Sequence, residues 1–482
     1  MVIQVMLISF VIPAPPTLAE QLYQRHGEFR DSTIVHRRFS PEQLQDRLAR
    51  IGEPWEIMQA GESLEGRPIR SVRLGEGTTR VLLWSQMHGD EATATMAFLD
   101  LFRFFEASGD GFDGLRERIR SQLDIHFIPM LNPDGAAQFN RRNALGIDLN
   151  RDALRLTSPE AQLLKALQDS LQPEWGFNMH DQRRFYGVGD QDRPVALAFL
   201  APAFNEERSM NEGREAAMKL IGGIVKDIKP FVGDYIARYN DAFEKRAFGD
   251  NFQKWGTRTI LVESGIITGD WEKQELRRLN FVLLLSALDQ IATGSWEERS
   301  LREYRRIPYN SRDAFFDLLL RKVTVRDRKG EPRLVDIGFR NLETGWDSIR
   351  GTTYEGRISD IGDLSKQYGH VDFEGTGYRV QSGKVYPRAF RNLSDLLRSD
   401  PIALLAEGYS VFQLRALPDP EKRSKLPFRL ILPDGVPGYR LGIGGNPQFY
   451  LCQENVCSYY LQDGQLYLLD RDKGLLMQLI NP

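Results

Sequence analysis

Residues 81–91 read Val81-Leu82-Leu83-Trp84-Ser85-Gln86-Met87-His88-Gly89-Asp90-Glu91. Val81 to Gln86 has the apolar texture of a strand buried on both faces, and Ala92 to Phe105 reads as a helix, apolar at Met96, Leu99, Leu101 and Phe105. A strand passing through a polar turn into a helix is the unit of an α/β sheet, and open sheets of that kind gather functional groups just past the strand ends. His88 and Glu91 stand at such a place, and three residues apart at a helix start they would share a face. His180, in Asn178-Met179-His180-Asp181, can complete a His₂Glu set. Three protein ligands of that kind leave a catalytic zinc with an open position, where a water can be activated.

The same alternation extends outward. Trp55 to Gln59, Ile69 to Leu74, Ile125 to Met130, Val195 to Leu200 and Thr259 to Val262 read as strands. Pro41 to Ile51, Pro159 to Leu171, Met210 to Ile228 and Leu276 to Ile291 read as helices, with Ser40 and Ser158 as N-caps of the first two. The pattern predicts an α/β fold, a mostly parallel mixed sheet flanked by helices, over residues 20–295. A charged stretch, 296–310, reads as a linker. From Ser311 to Pro482 short β-rich runs alternate with Gly and Pro turns, which predicts a mainly β accessory domain with helices at Ala314 to Leu320 and Leu393 to Leu397. Gly442-Ile443-Gly444-Gly445, with no helix after it, reads as a β-turn rather than a phosphate loop.

The chain of 482 residues carries a formal charge of −3, so no broad basic field points to nucleic acid, and no later segment reads as a membrane span. Residues 1–19 form a candidate signal peptide: Val2 to Ile12 is apolar and Thr17-Leu18-Ala19 resembles a cleavage site, although no Lys or Arg precedes Arg25. Export, periplasmic or secreted, is the expectation, with the cytoplasm as the alternative. Cys452 and Cys457 admit a hairpin disulfide or two free thiols. The oligomeric state is left open.

Further groups follow in order along the chain: Asn132-Pro133-Asp134-Gly135, then Arg141-Arg142-Asn143, then Asp148-Leu149-Asn150-Arg151, and finally Glu263 at the end of an apolar strand. Arginines fork onto carboxylates through paired hydrogen bonds. A carboxylate closing a buried strand is costly unless it has a partner or a task. Taken together in this order, the motifs resemble the zinc carboxypeptidase family, peptidase family M14, over about residues 60–290. The resemblance implies one Zn²⁺ held by His88, Glu91 and His180, with Asp148 hydrogen-bonded to His88. It implies that Asn150 and Arg151 grip a substrate carboxylate, that Arg141 stabilises the oxyanion, and that Glu263 is general base and acid towards a metal-activated water. The family's mobile tyrosine has two candidates, Tyr235 and Tyr239, of which Tyr239 is preferred for its closer spacing to Glu263. The side-chain pocket would draw on residues between Arg246 and Trp255, where Phe248 is apolar and Asp250 acidic.

Departures accompany the likeness: Asp181-Gln182 follows His180, Asp152 follows Arg151, and the spacing from His88 to His180 is short for a digestive enzyme. The implied activity is a metallocarboxypeptidase removing C-terminal residues from peptides or peptide-like substrates with a free carboxylate. A related zinc amidohydrolase acting on acylated amino acids or cell-wall peptides is the alternative. A zinc-containing binding protein without catalysis is a third reading, whose usual sign, loss of the base, is missing because Glu263 is present. The ligand set would also accept other divalent ions.

Overall fold

A computed structural model describes residues 15–347, 351–423, 426–435, 441–446, 448–454, 456–470 and 475–478. The chain divides into two compact units, one comprising Met1–Gln182 with Val195–Asn310 and the other Arg183–Pro194 with Ser311–Pro482. The segment 183–194, directly after Gln182, thus belongs to the second unit.

In the first unit the strands are β1 (Glu56–Glu62), β2 (Pro68–Leu74), β3 (Thr79–Trp84), β4 (Leu123–Ile128), β5 (Trp175–Asp181), β6 (Leu197–Leu200), β7 (Ile236–Arg238) and β8 (Arg258–Ser264). They form one sheet in the order β1-β2-β4-β3-β5-β8-β6-β7. The centre, β4-β3-β5-β8, is parallel, β6 runs antiparallel to β8, and β1 and β2 close the other side antiparallel. The mixed sheet expected from the alternation is therefore the observed one.

Around it pack α1 (Leu18–Phe29), α2 (Pro41–Leu48), α3 (Thr93–Glu106), α4 (Asp113–Gln122), α5 (Pro159–Leu171), α6 (Glu212–Val232), α7 (Phe248–Lys254) and α8 (Gln274–Thr293). Alternation along the strands feeds two cores. Val81, Leu83, Phe177, Met179, Ile260 and Val262 pack with α1, α3, α6 and α8, whereas Leu82 and Trp84 face Leu164 of α5 and Phe248 and Phe252 of α7. Burial on both faces explains why the central strands read as unbroken apolar runs.

The lead-in is more structured than its sequence suggests. Thr17 caps α1 in a capping box, and Ala19 and Leu22 are buried in the main core, so Thr17-Leu18-Ala19 is a helix start in this structure. Residues 1–14 of the candidate signal peptide lie outside the described residues. His26 reaches Asp100 of α3 at 2.8 Å, and Arg277 of α8 ion-pairs with the same buried carboxylate. Within 296–310, Leu301–Arg305 is a short helix with Tyr304 buried.

The second unit is mainly β. Its larger sheet encloses Leu318, Leu320, Ile337, Phe339, Phe449 and Leu461. A three-stranded parallel sheet (Lys384–Phe390, Tyr409–Leu414, Arg429–Ile431) packs with Leu396 and Leu405 of two short helices around a second core. The expected helix at Ala314 to Leu320 is instead part of the strand Phe315–Arg326, whose residues from Phe315 to Leu320 are all buried. A short run that is apolar throughout carries no period, and here pairing on both sides decides for the strand. Leu393–Leu397 is helical as expected. Gly445 N donates to Gly442 O at 2.9 Å, the turn predicted there. Cys452 and Cys457 face each other across a hairpin and are disulfide-bonded. Arg184, in the segment that joins this unit early, is held by Asp317 and by the Asn341 carbonyl.

Candidate metal centre

Three parallel strands converge on the site. β3 ends at Trp84, and its chain runs on beside the exit of β4, with Leu131 N on Ser85 O and Asn132 N on Gln86 O. His88 and Glu91 lie in the tight turn that follows, ahead of α3 rather than on it, joined by Glu91 N to His88 O at 3.1 Å. The turn therefore sets their common direction, where the sequence suggested a helix face. Gly89 is required by close approach: a Cβ there would lie 2.1 Å from the Gly135 carbonyl carbon. The Asn-Pro-Asp-Gly motif is the matching buttress. Asn132 accepts Gly135 N and donates towards Met87 O and Arg141 O, and buried Asp134 takes Ser63 Oγ, Glu65 N and Arg67 Nη1.

His180 is the penultimate residue of β5 and pairs in register with Glu263 of β8. Directly opposed residues of neighbouring strands point to the same face, so both side chains project on the side of Trp84 and α7. Donor atoms of His88, Glu91 and His180 lie within 4.8 Å of one another, and all three residues are buried. His88 Nδ1 is 2.8 Å from Glu91 Oε1, and His180 Nδ1 is 2.7 Å from Glu91 Oε2. His88 Nε2 meets Asp148 Oδ1 at 3.1 Å, which fixes the ring and turns Nδ1 inward. Two imidazole nitrogens and a carboxylate, gathered in one buried place, fit a divalent metal of the zinc type.

Charge is concentrated here. Burial disfavours the His88 imidazolium, but the Glu91 carboxylate and the Asp148 hydrogen bond outweigh it and raise His88 to about 9. Burial alone would raise Glu91, yet the two imidazoles hold it well below the usual carboxylate range. Burial keeps His180 below its ordinary value. Glu263 is pushed well above the carboxylate range, first by burial and then by the Glu91 charge.

Arg141 leans over the cluster, Nε on Asp148 Oδ2 at 3.0 Å and Nη1 on Glu91 Oε1 at 3.1 Å, while remaining partly exposed. Asn150 is buried: its Oδ1 accepts Phe248 N at 2.9 Å and its Nδ2 sits 3.5 Å from His180 Nε2. Arg151 donates to the Asn150 carbonyl and stands 3.5 Å from Glu244 Oε2. Tyr239 lies just past β7, half-buried, its backbone N on Phe199 O. Asp152, read as a departure, accepts Thr157 N, Ser158 N and Ser158 Oγ at the start of α5. Asp250 is buried at the first turn of α7 and pushed up to about 7 by burial, which outweighs the hydrogen bond it accepts from Glu244 N. Three other contributors were not read as site residues from the sequence, although Asp181 stood out there as a departure: Thr93, Asp181 and Lys273 form a polar contact beside the ligand residues. Long separation in the chain hid Lys273, and its position at a helix start was the only available signal.

Residues 42–173 match the family model described as zinc carboxypeptidase, the family read from the motifs. The matched span carries His88, Glu91, Arg141, Asp148, Asn150 and Arg151; His180 and Glu263 lie beyond it. An uncharacterized protein of Zymomonas mobilis is 28% identical over 32% of this chain and 44% of its own length. Carboxypeptidase 2 of Trichophyton rubrum is 29% identical over 32% of this chain and 29% of its own. The chain thus spans less than half the length of these curated relatives. A solved metallo-carboxypeptidase from Burkholderia cenocepacia aligns over 54% of this chain and 70% of its own at 19% identity, with a TM-score of 0.43.

Proposed function

We propose that this protein is a zinc-dependent hydrolase that removes C-terminal residues from peptides, with Glu263 as general base. The observation that carries the reading is the register of His180 against Glu263, which brings a second buried carboxylate to the face where His88, Glu91 and His180 converge. A zinc ion held by those three residues would supply a Lewis acid and lower the pKa of a coordinated water.

The chain's own groups account for the rest. Glu263, raised by burial and by Glu91, is a stronger base than an ordinary carboxylate once ionised. It takes the proton of the attacking water on a carboxylate oxygen and returns it to the leaving nitrogen. Arg141, fixed by Asp148 and Glu91, has guanidinium surface left to donate to the carbonyl oxygen as negative charge develops there. Arg151 binds the substrate's terminal carboxylate and positions the bond to be cut. Asn150 accepts Phe248 N on its Oδ1, which fixes it against α7, and its Nδ2 is assigned with Arg151 to the substrate carboxylate. Tyr239 is assigned to the substrate side.

One observation favours a second reading. Arg151 already stands near Glu244, so a peptide's terminal carboxylate must compete for it, which weakens the C-terminal grip and favours the related zinc amidohydrolase acting on acylated amino acids or cell-wall peptides. Metal-quantified protein incubated with a mixed panel of peptides and cell-wall peptides, followed by mass spectrometry with and without chelator, separates the two. Chelator-sensitive loss of single C-terminal residues is the expected result. Cleavage confined to the cell-wall or acylated substrates would replace it with the second reading.

A further inference from the structure

Beneath the metal ligands, on the opposite face of the sheet, lies a second charged contact. Side chains alternate along a strand, so Asp181 points away from His180, towards α3 and α8. Asp181 Oδ2 is 3.0 Å from Lys273 Nζ, and both side chains are almost fully enclosed, at 8% and 11% exposure. The same ammonium donates to Ser264 O at 3.1 Å. Asp181 Oδ2 also accepts Thr93 Oγ1 at 2.7 Å, and Asp181 N donates to Glu91 Oε2 at 3.1 Å. Asp181 follows His180, Ser264 follows Glu263, and Thr93 is two residues past Glu91. One lysine therefore ties together the chain beside two candidate ligands and the candidate base.

The backbone at Lys273 supports a role for its side chain. Lys273 precedes α8 with φ 54°, a left-handed conformation that glycine adopts more easily, and its side chain makes no cap for the helix. Charge argues the same way. Asp181 is a third enclosed carboxylate near Glu91 and Glu263, and an enclosed charge stripped of its partner is strongly unfavourable.

We propose that Lys273 is a positioning residue for the reaction assigned above: paired with Asp181 and bound to the Ser264 carbonyl, it holds the ends of β5 and β8 and the Glu91 turn together. The proposal rests on that functional reading, but half of its test does not need a substrate. In the full chain, zinc release to an excess of chelator is measured for wild type, Lys273→Met, Lys273→Arg, Asp181→Asn and the double variant Lys273→Met/Asp181→Asn, together with kcat and KM on a cleaved peptide.

Lys273→Met is expected to release zinc at least tenfold faster and to lose at least tenfold in kcat, with KM within about twofold of wild type. Lys273→Arg, which keeps the cation, should recover most of both. The double variant should retain zinc better than Lys273→Met, because the orphaned charge is gone. A folded Lys273→Met protein with zinc release and kcat within twofold of wild type would overturn the proposal, as would a double variant no better than the single one. If Lys273→Met does not fold, faster zinc release from Asp181→Asn with near-normal release from Lys273→Arg supports it, and equal release from wild type, Asp181→Asn and Lys273→Arg sinks it. A wild type that binds zinc but cuts no peptide would remove the functional reading, leaving the zinc-release arm to decide the positioning role.

Discussion

Glu263 and Arg151 differ in what the surrounding protein asks of them. Burial first, and then the charge of Glu91, favour the proton on Glu263 and outweigh the opposing pull of His88 and Arg141. Glu263→Gln keeps the shape and removes the base. We expect zinc content to be unchanged and turnover to fall by about 10²–10⁴-fold, the range typical of general acid–base catalysis. Metal analysis beside steady-state kinetics checks this, and near-normal turnover removes Glu263 from the mechanism. Arg151, by contrast, sits at the rim and meets Glu244 at only 3.5 Å. Arg151→Ala should raise KM by about tenfold or more for substrates with a free carboxylate, since a charge-assisted hydrogen bond contributes about 1.5–3 kcal/mol. Amidated substrates should be little affected; equal loss on both would show that the carboxylate is held elsewhere.

At the scale of elements, α7 carries a tension that pH can reveal. Phe248 and Phe252 are fully buried against Trp84, and the helix thereby draws Asp250 in with them. Acidic residues usually favour a helix's first turn, but here burial outweighs that benefit and raises Asp250 from 3.8 to about 7. The folded state then holds this proton more tightly than the unfolded chain does. The group's stabilising contribution is present at and below the ordinary carboxylate pKa and is lost as pH rises through about 7. Asp250→Asn should therefore gain in Tm relative to wild type on going from pH 5 to pH 8, by about 2–4 °C for each kcal/mol recovered. A difference that stays flat between those pH values contradicts the raised carboxyl.

What the sequence disclosed at this scale follows from how local each signal is. The break at Asn132-Pro133 and the cap at Ser158 are written in neighbouring residues, and β3, α3 and α5 appear close to where they were expected, whereas a turn and not the helix face their spacing suggested directs His88 and Glu91. Phe315 to Leu320 lacks any period and was settled by its strand partners. Asp181 and Lys273 meet only because β5 and α8 pack together, and no spacing along the chain announces that contact.

In the whole molecule, each unit has its own core, and each has its own chemical constraint. The first gathers the buried His88, Glu91 and His180 cluster; the second holds the Cys452–Cys457 bond. The bonded hairpin stands between two apolar groups: Phe449, Leu451 and Leu461 enter one core, while Tyr450, Cys452 and Tyr460 enter the other. Opening the bond frees only a short loop, so chain entropy accounts for about 2 kcal/mol. Metal binding stabilises only the unit that holds the ligands, in proportion to how far the metal concentration exceeds its dissociation constant. Calorimetry on the zinc-loaded chain should show two transitions, because separate cores melt separately unless a large apolar interface joins them. Reductant should lower one by several degrees, and chelator should lower the other. The chain passes between the units at 182–183, 194–195 and 310–311, and the early excursion begins three residues past His180. Chelator should consequently leave the reductant-sensitive transition in place, whereas a single transition moved equally by both reagents would mean that the three crossings make the molecule one cooperative block.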